Sequence, residues 1–156
     1  MIIVDGNNML FVEERIRRLS IRGHYPEARA MLAETIRDYA ERTRQPVTLT
    51  FDGTARPGEP TGRISRYMQI VFSGPVTADT LIANMLRRGL DPGGVAVVSS
   101  DREVKDASRR AGTQSVSTGQ FTRMLGGCMP IFPAFDPADE DSLDRRFDAL
   151  IRDRCV

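Results

Sequence analysis

Four aspartates sit where this chain is expected to leave a β-strand. Asp5 follows the apolar residues 2–4, Asp52 follows the β-branched and aromatic run Val47–Phe51, and Asp101 follows the run 94–100. Asp79 falls in the first turn of the helix expected after a strand at Met68–Phe72. Ligands of open α/β sheets bind in the crevice beyond the carboxyl ends of the strands, so all four carboxylates are expected to face one crevice. Gathered there, they would repel one another and raise some of their pKa values unless a cation lay among them. An oxygen donor set without cysteine or histidine suits Mg²⁺ or Mn²⁺ better than zinc. Such a site can activate water and stabilise charge on a phosphoryl group, which is the chemistry of phosphodiester hydrolysis.

Each aspartate taken alone also has a structural reading. Asp5-Gly6 and Asp52-Gly53 spell a common turn, and Asp79 would favour a helix dipole whatever its chemistry. The run from Ser100 to Glu103 spells a capping box, which accounts for the serine with no chemistry. The coincidence of all four carries the functional reading.

The elements that must position these residues alternate. After the first strand a helix is predicted over 8–20, then a longer one from Pro26 to about Arg44 with Ala28, Leu32, Ile36, Tyr39 and Ala40 at helical spacing. The strand Val47–Phe51 is followed by residues 53–63, whose glycines and prolines predict a loop carrying Arg56 and Arg63. Thr77 is placed to cap a helix running to about Arg88, and a further helix is expected from Asp101 to near Gly112. A weak strand over 114–117 and a short helix over 118–125 complete the alternation, which argues for a parallel sheet covered on both faces. Residues 126–137, with Pro130, Pro133 and Pro137, read as extended chain. A last helix over 139–154 puts Leu143, Phe147, Leu150 and Ile151 on one stripe, to be buried on the domain or, as the alternative, in a homodimer.

Composition narrows the class. At 156 residues, 40% hydrophobic and 28% charged, the chain suits one globular core, expected here as a domain over 1–135 with a helical extension over 136–156. No apolar run is long enough to span a bilayer and the first strand begins at Ile2, which predicts a cytoplasmic protein with no membrane partner. Cys128 and Cys155 have no zinc-binding spacing, and the single His24 sits in an expected interhelical loop, so neither metal–thiolate nor histidine chemistry is supported. Residues 1–135 carry 18 basic and 14 acidic residues, a mild surplus of positive charge, and every basic residue but Lys105 is arginine. Arginine suits phosphate, although genome composition produces the same bias.

The segments IIVDGNNML, TLTFDG, VFSGPVTADTLIANML and VAVVSSDREVKDASRRAGTQSVSTGQF, in this order, resemble the YacP-like branch of the NYN domain family, among the PIN-like nucleases. The resemblance covers roughly residues 2–125, with Asn7 in place of the tyrosine usual there and an atypical stretch at 112–117. It implies a PIN-like α/β/α sandwich and a metal-dependent endoribonuclease that uses metal-activated water, leaving 5′-phosphate and 3′-hydroxyl ends. It also implies Asp5, Asp79 and Asp101 as metal ligands and Asp52 as a fourth, through water or in an outer shell. Asn8 and Ser100 would position water or a phosphate oxygen, Arg102 would neutralise a phosphate, and Ser73 and Thr77 would bind backbone oxygens. Arg56, Arg63 and Arg66, in or beside the Gly/Pro loop, are expected to hold the phosphate backbone of RNA. The RNA could be free or presented by a ribosome or another complex.

Two other classes compete. A receiver-type phosphoacceptor domain needs an acidic pair after the first strand and a lysine after the last, whereas here Asp5 precedes Gly6 and Lys105 lies inside a helix. A non-catalytic RNA-binding module would keep the fold without turnover. Aromatic content of 6% with no tryptophan argues against extended base stacking.

Overall fold

The computed structural model describes residues 1–136 and 138–152; Pro137, Arg154 and Cys155, on which parts of the reading above fall, lie outside them. Six strands form one sheet: β1 (Ile2–Asp5), β2 (Val47–Phe51), β3 (Gly62–Ser65), β4 (Met68–Phe72), β5 (Ala96–Val98) and β6 (Gln114–Val116). Their spatial order is β3-β4-β2-β1-β5-β6, all parallel except β3, which runs antiparallel along β4. Every residue of β1, β2, β4 and β5 is buried, as expected of strands covered on both faces.

From β1 the chain moves one way across the sheet to β2 and β4, and from β5 it moves the other way to β6. Crossovers between parallel strands are right-handed, so the two directions put their helices on opposite faces. Helices α2 (Glu14–Ile21) and α3 (Tyr25–Thr43) pack together, with α6 (Thr118–Gly127) against α3. Helices α4 (Ala78–Leu86) and α5 (Arg102–Arg110) pack together on the other side. The direction reverses between β1 and β5, and that is where the crevice opens.

Local chemistry revises several expectations. The helix predicted over 8–20 is two: the single turn α1 (Gly6–Met9), then α2, whose start is capped by the Glu13 carboxylate accepting from Ile16 N at 2.9 Å. Arg63 is not in a loop but in the edge strand β3, which periodicity could not find in four residues beside glycine and proline. Ser100 does not cap α5; Asp101 does, accepting from Glu103 N at 2.8 Å and Val104 N at 3.2 Å. A capping box does form at α6, between Ser117 and Gln120.

The two Asp-Gly pairs, alike in sequence, differ in kind. Gly53 has φ +74° and makes a left-handed turn. Asp5-Gly6 is no turn: Asp5 caps α1, accepting from Asn8 N at 3.1 Å, and Gly6 is its first helical residue.

The final helix α7 (Glu140–Ile151) buries Leu143, Phe147 and Leu150 fully within the chain. Arg63 fastens it, pairing with Asp144 at 2.9 Å while its guanidinium lies 4.2 Å from the centre of the Phe147 ring. The stripe packs on the chain's own core, with Ile151 partly buried at its end.

A part-buried ion pair holds the 53–61 loop. Arg29 and Glu59, with side chains 16% and 7% exposed, form two hydrogen bonds of 2.7 and 3.0 Å, and Glu59 also accepts from Arg56 N at 2.7 Å. The Arg29 guanidinium lies 5.8 and 5.7 Å from the ring centres of Phe51 and Phe72. Removing one partner leaves a charge uncompensated in that apolar setting. Glu59→Gln is expected to cost about 3 kcal/mol in urea unfolding, and the double change Arg29→Met with Glu59→Leu much less. Equal losses for both proteins would mean that the pair is effectively solvated.

Candidate active site

The crevice at the carboxyl ends of β1, β2 and β5 is a cleft of about 400 Å³ whose lining includes Asp5, Asn8, Asp52, Thr77, Asp79 and Asp101. All four predicted carboxylates therefore line one cleft. They arrive by different routes. Asp5 ends β1 and is 2% exposed; its Oδ2 accepts from Ser99 Oγ at 2.8 Å and its Oδ1 from Asn8 N. Asp52, just past β2, is tied at both oxygens: Oδ1 accepts from Ala78 N and Oδ2 from Asn7 Nδ2, each at 2.6 Å. Asp101 spends Oδ1 on the start of α5. Asp79, in the first turn of α4, has no hydrogen bond among the described residues, and Thr77 caps that helix through Thr80 N at 3.2 Å.

The electrostatics follow from this crowding. Burial raises the Asp5 carboxyl above its ordinary value, and nearby Asp52 and Asp101 add to the effect against the opposing Ser99 and Asn8 hydrogen bonds. Asp79 is pushed up to about 6, first by burial and then by the negative charges of Asp5, Asp101, Asp52 and Glu103. Four acids share one cleft, and among the described residues no basic side chain lines it.

The donor set has the chemistry of a hard-cation site, with carboxylate oxygens and the Asn8 amide and no sulfur or imidazole. Among the described residues, no three acidic, histidine or cysteine side chains already converge as a ready ligand cluster. Asp79 supplies the adjustable member. Among the described residues no hydrogen bond holds its carboxylate, whereas those of Asp5 and Asp52 are each held at both oxygens.

Several predicted contacts are placed elsewhere. Ser100 is turned from the cleft: its hydroxyl meets Thr118 Oγ1 at 2.7 Å, and its N donates to Asn8 Oδ1 at 3.2 Å. Ser73 is buried in loop closure, accepting from Gly53 N at 3.0 Å and donating to Val76 O at 2.6 Å. Arg63 is committed to α7, and Arg66, beside Tyr67, follows it to the opposite end of β4. Arg56 is exposed in a loop held through its own backbone, and Arg102 is exposed just outside the cleft.

Two cleft-shaping residues escape the sequence reading. Asn7 grips Asp52 from both sides, donating from Nδ2 and accepting the Asp52 N–H at 3.1 Å. Ser99, not Ser100, holds Asp5, because the register Val4↔Val98 sets it opposite. The adjacent serines were the available signal, but only the pairing of β1 with β5 selects between them.

A mostly parallel sheet lies between two helical layers, a PIN-like architecture with acids gathered at its reversal point. The chain belongs to the YacP-like NYN domain family, whose model matches residues 2–128. Its fold is similar to crystal structures of Rae1 (YacP) from Bacillus subtilis. The W164L mutant superposes with a TM-score of 0.67 at 19% identity, covering 92% of this chain and 97% of that one. A second Rae1 structure gives 0.65 at 21% identity, covering 95% and 79%. No curated protein sequence matches the chain. Among the described residues, no helix is long and apolar enough to cross a membrane.

Proposed function

We propose that this protein is a Mg²⁺- or Mn²⁺-dependent endoribonuclease. The carrying observation is Asp79, a carboxylate without a hydrogen bond among the described residues, raised to about 6 beside three further aspartates. Membership of a nuclease-like family supports the same reading. Asp5, Asp79 and Asp101 would hold the cation. Asp52, engaged at both oxygens, serves in an outer position, and Asn7 and Ser99 keep Asp52 and Asp5 oriented. When bound, the cation supplies acidified water and neutralises charge on phosphoryl oxygens. Asn8 presents the cleft with a side chain whose carbonyl is anchored on Ser100 N, leaving its amide to donate to a phosphate oxygen. Arg102, at the rim, offers a cation to the phosphate backbone.

A second reading is an RNA-binding module without turnover. One observation favours it, the lack of a ready three-ligand cluster among the described residues. Labelled RNA and DNA oligonucleotides incubated with Mg²⁺, Mn²⁺ or chelator separate the two. Hydrolysis by water leaves 5′-phosphate and 3′-hydroxyl ends, and Asp5→Asn should abolish it. Ends carrying a 2′,3′-cyclic phosphate would overturn the mechanism, because the ribose hydroxyl would then be the nucleophile. Binding without metal-dependent cutting would favour the second reading.

A further inference from the structure

The acidic cleft has no cation in its lining, yet an RNA strand entering it must be held by its phosphates. Arg63, expected for this task, is taken up by Asp144 and Phe147. A different surface is suited to it. On α5, Arg102, Lys105 and Arg109 recur at spacings of three and four, which puts them on one face of the helix. An adjacent face is buried through Val104 and Ser108. Lys105 and Arg109 line an open groove of about 330 Å³ together with Thr113, Ser115, Ser117 and Gln120.

We propose that this groove, between α5 and the free edge of β6, is a track for the phosphate backbone of single-stranded RNA leading away from the acidic cleft. The inference rests on the nuclease reading for its substrate class. Three observations carry it. Lys105 forms no ion pair among the described residues, the Arg102 side chain is 95% exposed with only a 4.0 Å approach to Asp106, and Arg109 meets the same Asp106 at 2.9 Å in a surface pair, 77% exposed on the arginine side, that a phosphate can replace. Both walls of the groove start beside the cleft: Asp101, in the cleft lining, caps α5, and Ser100, its neighbour, accepts from Thr118 N at the start of α6. From Asp101 to Arg109 the stripe extends ~12 Å along the helix axis. Facing the two cations, the Ser115 and Ser117 hydroxyls and the Gln120 amide can donate hydrogen bonds to phosphate or sugar oxygens without selecting a base.

The test measures binding of a fluorescent single-stranded RNA oligonucleotide in chelator across a salt series, where nothing is cut. Two backbone contacts to a single strand contribute about 1.4 to the slope of log affinity against log salt. The double variant Lys105→Gln, Arg109→Gln is therefore expected to lose about 1.4 of slope and to bind about 20-fold more weakly near 0.1 M salt. Arg17→Gln with Arg18→Gln on α2 removes the same charge elsewhere and should leave both quantities unchanged. Unaltered binding in the groove variant, equal losses in the control pair, or no RNA binding by the wild type would each overturn the track. Cleavage is scored separately. A wild type that binds through the groove but never cuts in Mg²⁺ or Mn²⁺ would sink the nuclease reading and leave the track standing. Cleavage with a groove variant that binds normally would do the reverse.

Discussion

Asp79→Asn is expected to lower metal-dependent RNA cleavage by at least about 100-fold, about 2.7 kcal/mol of barrier, while making the metal-free protein more stable. The stability gain follows from the sign of the shift. Asp79 is raised in the folded state from 3.8 to about 6, so the fold holds its proton where the unfolded chain has released it. The penalty is absent below about pH 4, grows between pH 4 and 6, and is fully present above 6. At full strength the shift would correspond to about 3 kcal/mol, but Asp79 is partly exposed and solvent screening reduces this to about 1 kcal/mol. In chelator at neutral pH, the variant should melt about 3 °C above the wild type, and the two curves should meet near pH 4. A cation that binds only the folded wild type should reverse the order, adding about 2.7 kcal/mol at a hundred times its Kd. A variant less stable in chelator, and helped by Mg²⁺ as much as wild type, would mean that Asp79 only starts a helix.

Gly6→Ala should produce the largest stability loss of any single methyl addition in the site. A Cβ on Gly6 would stand 2.5 Å from Thr50 O and 2.5 Å from Phe51 Cε1. The carbonyl belongs to β2, fixed by its pairing with β1, and the Phe51 ring is buried beside Phe72, so neither can withdraw cheaply. Overpacking of this kind costs about 3 kcal/mol, a drop of about 10 °C in Tm for a domain of this size. Any relief must move α1, which carries Asn7 and Asn8 and is capped by Asp5, so cleavage should fall with stability. Gly53→Ala is the contrast. Nothing lies within 4 Å of its Cβ, and only its φ of +74° opposes the change, about 1 kcal/mol. Comparable melting temperatures for the two variants would show that β1 and β2 yield at Gly6.

What the sequence determined by itself was whatever depends on neighbours along the chain. Long runs with one period located α3 and strands β2 and β4, and the ends expected for three strands placed Asp5, Asp52 and Asp101 at one end of the sheet whatever the strand order, although β1 includes Asp5 and β5 stops at Val98, before Asp101. Thr77 could be read as a cap because its partner, Thr80, is three residues away. Contacts across the fold were invisible for the opposite reason. Whether Ser99 or Ser100 meets Asp5 depends on the register of β1 with β5, some ninety residues apart, and the hold of Asn7 on Asp52 depends on α1 packing over β2. The same holds for Arg63, which looks like a phosphate contact in a glycine-rich loop until α7, 81 residues later, supplies Asp144 and Phe147. Gly6 and Gly53 follow aspartate in identical dipeptides, and only tertiary packing distinguishes a glycine required by an adjacent backbone from one required by its own φ. Local spacing determined which residues could do the chemistry; the pairing of distant strands and helices decided which of them are held, which are spent on structure, and which remain open to a ligand.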